Sequence, residues 1–169
     1  MRSKRNSGVF YLVGVVLAVF LFWLDQWTKQ LAVAHLKGRE DISLIPGALK
    51  LHYLENHGAA FGILQNQQWL FAVLTVVILA AVIYVIVRMP KTHHYLPVFL
   101  LCFVLIAGAL GNFYDRIVNH YVVDFIYFCL IDFPIFNLAD IYVTCSLFVF
   151  LLFFLILYKE EDFQFLKLG

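Results

Sequence analysis

Four uncharged, apolar runs, each long enough to cross a lipid bilayer, constrain this chain more than any single motif in it. They cover residues 8–24, 69–87, 97–114 and 141–158. A hydrocarbon core of about 30 Å needs about 20 residues of helix to span it. Within lipid, a backbone satisfies its N–H and C=O groups only inside a helix or a closed barrel. The runs therefore predict an all-α membrane protein with four transmembrane helices at about 8–27, 69–87, 97–114 and 140–158, in one integral membrane domain over 1–169. Composition points the same way, with 63% hydrophobic and only 14% charged residues, against about 25% charged in an ordinary soluble domain. The net charge of +1 gives no reason to expect a nucleic-acid partner.

The stretch 121–139 is apolar on average but carries Asp124, Asp132 and Pro134, and it reads as a loop, not as a fifth span. As a loop it returns Asp124 and Asp140 to the same membrane face. MRSKR followed by an apolar run imitates a secretory leader, with Ala32-Val33-Ala34 as its cleavage site. The run exceeds the usual ~7–15 residues of such a leader, and Asp25 and Lys29 lie before the cut, so the helix is expected to be retained. With the N-terminus inside, the inner segments carry Arg2, Lys4, Arg5, Arg88, Lys91, Lys159 and Lys167. The outer ones carry Lys29, Lys37, Arg39, Lys50 and Arg116. This bias predicts that both termini are cytoplasmic.

In that orientation the unusual polar residues gather at the outer face. Helix 1 exits with Asp25 and Lys29, and helix 3 with Asn112, Asp115 and Arg116. Helix 2 follows Asn56-His57-Gly58, and helix 4 begins after Asn137-Leu138-Ala139-Asp140. A charge at bilayer depth is costly, which makes such a residue a functional-site candidate. Asp25 and Lys29, one turn apart, either close a helix end as an i,i+4 pair or orient a catalytic loop. Arg116 either snorkels to headgroups or directs its donors at a substrate carbonyl or an aspartate. Asp124 and Asp140 can act as a carboxylate pair sharing one proton. Alternatively, Asp124 is a loop residue and Asp140 the N-cap of helix 4, with Asp132 a rival for the pair.

Residues 42–62 alternate imperfectly with period two around Leu49, Leu51 and Tyr53, as a half-buried strand does. Gly58-Ala59-Ala60 then allows either close approach of a peptide or a plain turn with tight packing. Cys102, Cys129 and Cys145 show no C-x-x-C spacing and read as buried, reduced thiols filling small gaps. The histidines are scattered, with no H-E-x-x-H, so neither a metal nor an organic cofactor is expected.

Taken together, Asp25-Gln26 with Lys29, Asn56–Phe61, Gly108–Arg116, Val122–Phe125 and Phe136–Asp140 resemble the corresponding blocks of lipoprotein signal peptidase, the bacterial type II signal peptidase. The resemblance covers nearly the whole chain, and His57 stands where the family usually has Thr. It implies four transmembrane helices with a small extracytoplasmic β-cradle-like insertion, about 42–62, between helices 1 and 2. It also implies an aspartic endopeptidase of the bacterial cytoplasmic (inner) membrane, active at the extracytoplasmic face. The substrate would be a diacylglyceryl-modified prolipoprotein, cut before its lipid-modified cysteine. Asp124 and Asp140 match the catalytic pair. Asn56, Gly58, Asn112, Arg116 and Asn137 match residues lining the substrate and inhibitor site, with Asp25, Lys29 and Asp115 supporting. Membrane lipids and globomycin-type inhibitors are the other implied partners. The competing classes are a small transporter relaying protons through the pair and a structural membrane subunit. No internal repeat and no mid-span carboxylate favours the transporter.

Overall fold

A computed structural model describes residues 2–58 and 67–166, with side chains from Ser7 onward. Its seven main elements are α1 (Arg2–Leu36), β1 (Ile42–Ile45), β2 (Leu49–Asn56), α2 (Gln68–Arg88), α3 (Leu96–Val118), β3 (Val122–Phe128) and α4 (Leu138–Ile156). Among the described residues, four helical stretches are long and apolar enough to cross a membrane: Ser7–Leu36, Gln68–Arg88, His93–Val118 and Leu138–Ile156. Their outward faces carry large exposed apolar side chains such as Val77, Leu147 and Leu155, the surface a lipid solvent demands.

α1 runs well past the expected end at about 27. From residue 28 onward no Gly or Pro occurs before Gly38, which takes a positive φ of 70° just beyond the last turn. Ala32 and Leu36 of this extension are buried against Val123 and Phe125. The Ala32-Val33-Ala34 segment is therefore helical interior, part of the platform on which the sheet rests.

The sheet has three antiparallel strands in the order β1-β2-β3. Two of them form the expected insertion between the first two helices, although its last residues, 59–62, lie outside the described ones. The third strand corrects the reading of 121–139 as a loop. Val122–Phe128 is rich in β-branched and aromatic residues and pairs with β2, setting Leu54 opposite Asp124 and Asn56 opposite Val122. Phe136 then exchanges backbone hydrogen bonds with Ile126, which brings the start of α4 back beside β3.

α3 is the central helix, with Val98, Phe99, Cys102, Phe103, Ala107, Gly108, Gly111 and Asp115 all buried. Its glycines allow two close approaches. A Cβ on Gly108 would lie 2.6 Å from the Ala139 carbonyl oxygen of α4. A Cβ on Gly111 would overlap the Asp25 carboxylate of α1 and sit 3.2 Å from the Ala139 Cβ. At the opposite end of the helices, Tyr158, Tyr95 and the 3₁₀ segment Glu160–Leu166 close the bundle, with the Tyr158 hydroxyl donating to the His94 carbonyl at 2.6 Å. The cysteines divide: Cys102 is buried as expected, whereas Cys129 is half-buried and Cys145 exposed on α4. Cys145 misses the core because it faces an open cavity beside α4 and not a packed neighbour, next to the buried Ser146.

Gly111→Ala is expected to lower the thermal midpoint in detergent, with an overpacking cost of about 1–3 kcal/mol. Leu110→Ala, one residue earlier on the exposed face, is the control that leaves the midpoint nearly unchanged in a fluorescence melt.

Candidate active site

Three helices and one strand meet around a buried ion cluster. Lys29 of α1 is 3% exposed, and its ammonium lies 2.9 Å from Asp25 Oδ2 and 3.0 Å from Asp115 Oδ2. Its third hydrogen bond goes to Asn112 Oδ1, at 3.0 Å. The two carboxylates are also engaged by backbone from other elements. Ala139 N–H of α4 donates to Asp25 Oδ1 at 3.0 Å, and Val123 N–H of β3 donates to Asp115 Oδ2 at 3.3 Å. Gln26 donates to both carboxylates at 3.1 Å. This cluster joins α1, α3, α4 and β3: the i,i+4 pair of Asp25 and Lys29 is present, but it is buried within α1 and does not close the helix end. Removing one partner of a buried ion pair costs roughly 3–5 kcal/mol, against well under 1 for an exposed i,i+4 pair.

Above the cluster lie Asp124 and Asp140, lining one cavity of about 550 Å³. Asp124 projects from β3 and is 2% exposed. It accepts from Asn56 Nδ2 at 2.8 Å and from Asn137 Nδ2 at 2.7 Å. Asp140 sits in the first turn of α4, but it is not the N-cap that one of the two sequence readings made it. Asn137 caps the helix, accepting from Asp140 N–H at 3.0 Å, while Asp140 Oδ2 accepts from Asn137 N–H at 3.0 Å. This reciprocal capping box leaves Asp140 Oδ1 free to accept from Asn112 Nδ2 at 2.7 Å. Asp132, the rival, is exposed on a left-handed backbone with φ 50° and bonds to Tyr127, away from the cavity.

The orientation of each amide follows from what its oxygen accepts. Asn56 Oδ1 takes the Gly58 N–H at 2.9 Å, so its NH₂ must face Asp124. Asn137 Oδ1 takes the Asp140 N–H, so its NH₂ faces Asp124 and, at 3.0 Å, Asn112 Oδ1. Asn112 Oδ1 takes Lys29 and Asn137, so its NH₂ faces Asp140. Burial, and secondly the nearby Asp140 charge, push the Asp124 carboxyl up to about 7, against the amide donors that favour its ionised form.

Arg116 lines the cavity without forming an ion pair among the described residues. Its Nη1 donates to the Asn112 carbonyl at 3.2 Å and its Nη2 to the Gly58 carbonyl at 3.3 Å, while its guanidinium lies 4.6 Å from the centre of the Phe71 ring. Its buried Nε–H has no partner among the described residues. Gly58 is buried in the cavity wall, and His57 beside it is exposed, packing 5.5 Å from the Tyr121 ring. Sequence reasoning missed the apolar lining: Phe71, Phe136, Ile141, Thr144 and Cys145. Ile141, Thr144 and Cys145 follow Asp140 by one, four and five residues, a helical-face signal readable once Asp140 is placed in α4 and not before it. Among the described residues, no group of three His, Cys, Asp or Glu is placed to hold a metal ion.

Four spans with a carboxylate-lined cavity at one end define a multi-pass membrane protein with its polar site at the ends of the helices. Comparison with known proteins places it further. A family model described as signal peptidase (SPase) II matches residues 17–156. A lipoprotein signal peptidase of Streptococcus thermophilus (strain CNRZ 1066) is 42% identical over 151 residues, covering 89% of this chain and 95% of the relative. One from Streptococcus pyogenes serotype M1 is 41% identical over 149 residues, covering 88% and 95%. Among solved structures, a bacterial membrane enzyme determined by the in meso method at 2.3 Å resolution superimposes with TM-score 0.73 and 33% identity, over 88% of this chain and 92% of that one. The chain belongs to the signal peptidase II family, and its activity is that of a lipoprotein signal peptidase, a membrane protease.

The raised Asp124 value carries a stability consequence. Its proton is held more tightly in the folded protein than in the unfolded chain, whose carboxyl titrates near ~4. The stabilisation is complete below about 4 and is lost as pH rises to about 7. The thermal midpoint of the wild type should therefore fall across that window relative to Asp124→Asn, and the difference should be level above it.

Proposed function

We propose that the chain is an aspartic endopeptidase, with Asp124 and Asp140 as the catalytic pair. The observation that carries this reading is the unequal setting of two carboxylates in one cavity. Asp124 is buried on a strand and holds its proton to about 7. Asp140 sits in the first turn of α4 and accepts from Asn112 Nδ2 at 2.7 Å, while the single proton is assigned to Asp124. Asp140 is then the ionised base, and Asp124 the acid.

In this mechanism a water between the two loses a proton to Asp140 as its oxygen attacks the scissile carbonyl carbon. Asp124 gives its proton to the carbonyl oxygen, forming a neutral gem-diol. Asp140 returns its proton to the amide nitrogen while Asp124 takes one back from a gem-diol hydroxyl. The C–N bond then breaks, leaving a carboxylic acid and an amine, with the pair restored. The Arg116 Nε–H, buried and unpartnered among the described residues, is assigned to a substrate backbone carbonyl. Substrate supplies remote binding energy through its apolar parts, which position the amide.

The substrate assigned is a diacylglyceryl-modified prolipoprotein, cut immediately before the modified cysteine. The cavity supports this choice. From the carboxylates it continues along Phe71, Ile141, Thr144 and Cys145, within the apolar part of the spans, where an acyl chain finds an apolar wall. Globomycin-type inhibitors are assigned to the same cavity. The chain forms one integral unit in the bacterial cytoplasmic membrane, with both termini cytoplasmic and the site extracytoplasmic. Lys29 and Arg116 belong to buried or cavity-lining structure, not to loops. Discounting them leaves Lys37, Arg39 and Lys50 on the outer side, which strengthens the positive-inside bias.

Purified wild type, Asp124→Asn and Asp140→Asn, incubated with a diacylglyceryl-modified prolipoprotein and followed by gel mobility, test the pair. Both folded variants should lose at least ~100-fold in cleavage rate, the lower end of what a positioned acid or base contributes. Cleavage surviving in either folded variant breaks the mechanism.

A further inference from the structure

Each of the three amides facing the carboxylates is held in one orientation, but they are not held alike. Asn56 is fixed by the backbone of Gly58, two residues away, and Asn137 by the first turn of the helix it caps. Asn112 has no such local lock. Its oxygen accepts from Lys29 Nζ and Asn137 Nδ2, both at 3.0 Å. With Lys29 in place, a flipped Asn112 would turn its NH₂ against an ammonium and another NH₂, three donors with no acceptor.

From this geometry we infer that Lys29 is a positioning residue for Asp140, acting through the carboxamide of Asn112. The inference rests on the reading of Asp124 and Asp140 as the catalytic pair. Lys29 does not reach the cavity; all three of its hydrogens are used on Asp25, Asp115 and Asn112. What it transmits is an orientation. The Asn112 NH₂ stays on Asp140 Oδ1 at 2.7 Å, where it stabilises the negative charge the general base needs. Without Lys29, Asn137 Nδ2 alone still opposes the flip, and Asn112 can turn its oxygen toward Asp140.

The other charged and titratable groups around this relay are Asp25 on α1, Asp115 and Arg116 on α3, Asp124 on β3 and Tyr142 on α4, the last close enough to Asp25 to feel its charge. Deleting a lysine also deletes a charge, so the test has to separate the two effects. In Lys29→Met/Asp25→Asn one positive and one negative charge leave together, and the formal charge of the Asp25–Lys29–Asp115 cluster stays at −1. Asn112→Ala removes the amide and leaves the ions in place.

The measurement is the pH dependence of kcat/KM on a diacylglyceryl-modified prolipoprotein, with each variant's fold checked by its thermal melt in detergent. The acidic limb should move up by about one pH unit in both variants, the tenfold change expected when a charge-assisted donor is lost. An acidic limb unchanged in Asn112→Ala overturns the inference. So does a shift in Asn112→Ala with none in the charge-balanced variant, and so does a charge-balanced variant that does not fold, since Lys29 is then a structural ion. These failures differ from failure of the pair itself, in which folded Asp124→Asn or Asp140→Asn would still cleave.

Discussion

A carboxamide whose oxygen is already bonded has only its NH₂ to offer, and the site is organised by that constraint. Asn56, Asn112 and Asn137 each spend their oxygen on a fixed donor and turn their nitrogen toward Asp124 or Asp140. The donors are a turn backbone, an ammonium and a helix N-terminus, drawn from the end of β2, from α1 and from α4. Fold and chemistry are thus coupled through hydrogen-bond polarity. A shift in any of these elements would change which atom faces a carboxylate. Because the surroundings are buried, each misdirected donor or acceptor would go unsatisfied at a cost of about 1–3 kcal/mol.

The Asp25–Lys29–Asp115 cluster lies beneath this arrangement and gives the helices their relative positions. Ala139 N–H and Val123 N–H both end on its carboxylates, so the start of α4 and the start of β3 are tied to the same ions. Asp124 follows Val123 by one residue, and Asp140 follows Ala139 by one. The two carboxylates of the cavity are therefore each one residue from a backbone group bonded to the cluster. Gly108 and Gly111 let α3 approach α1 and α4 closely enough for this to happen.

Much of the architecture was legible in the chain because lipid leaves few choices: four long apolar runs without charge gave four helices. The polar residues were legible as a group for the same reason, since charges near helix ends have to be accounted for. Their individual places were not. A burial-dependent contact has no local sign, so the spacing of Asp25 and Lys29 showed an i,i+4 pair but not that both are buried against α3. β3 was hidden because Asp124 and Asp132 broke the apolar pattern of 121–139, and a strand's partner lies far away in sequence. Asn137, and not Asp140, is the N-cap of α4, which only the backbone geometry at the start of the helix decides. The resemblance in sequence named the residues; the structure supplies what holds each one.

The proposed mechanism assigns the single proton of the cavity to Asp124, where burial holds it up to about 7. Infrared difference spectroscopy of the detergent-solubilised enzyme, stepped in pH from acid to alkaline, observes protonated carboxyl groups directly. A carboxyl band is expected to disappear as pH rises through about 7 in the wild type and to be missing from folded Asp124→Asn. A wild type with no carboxyl titrating in that range, or a band that persists in the folded variant, would contradict the claim.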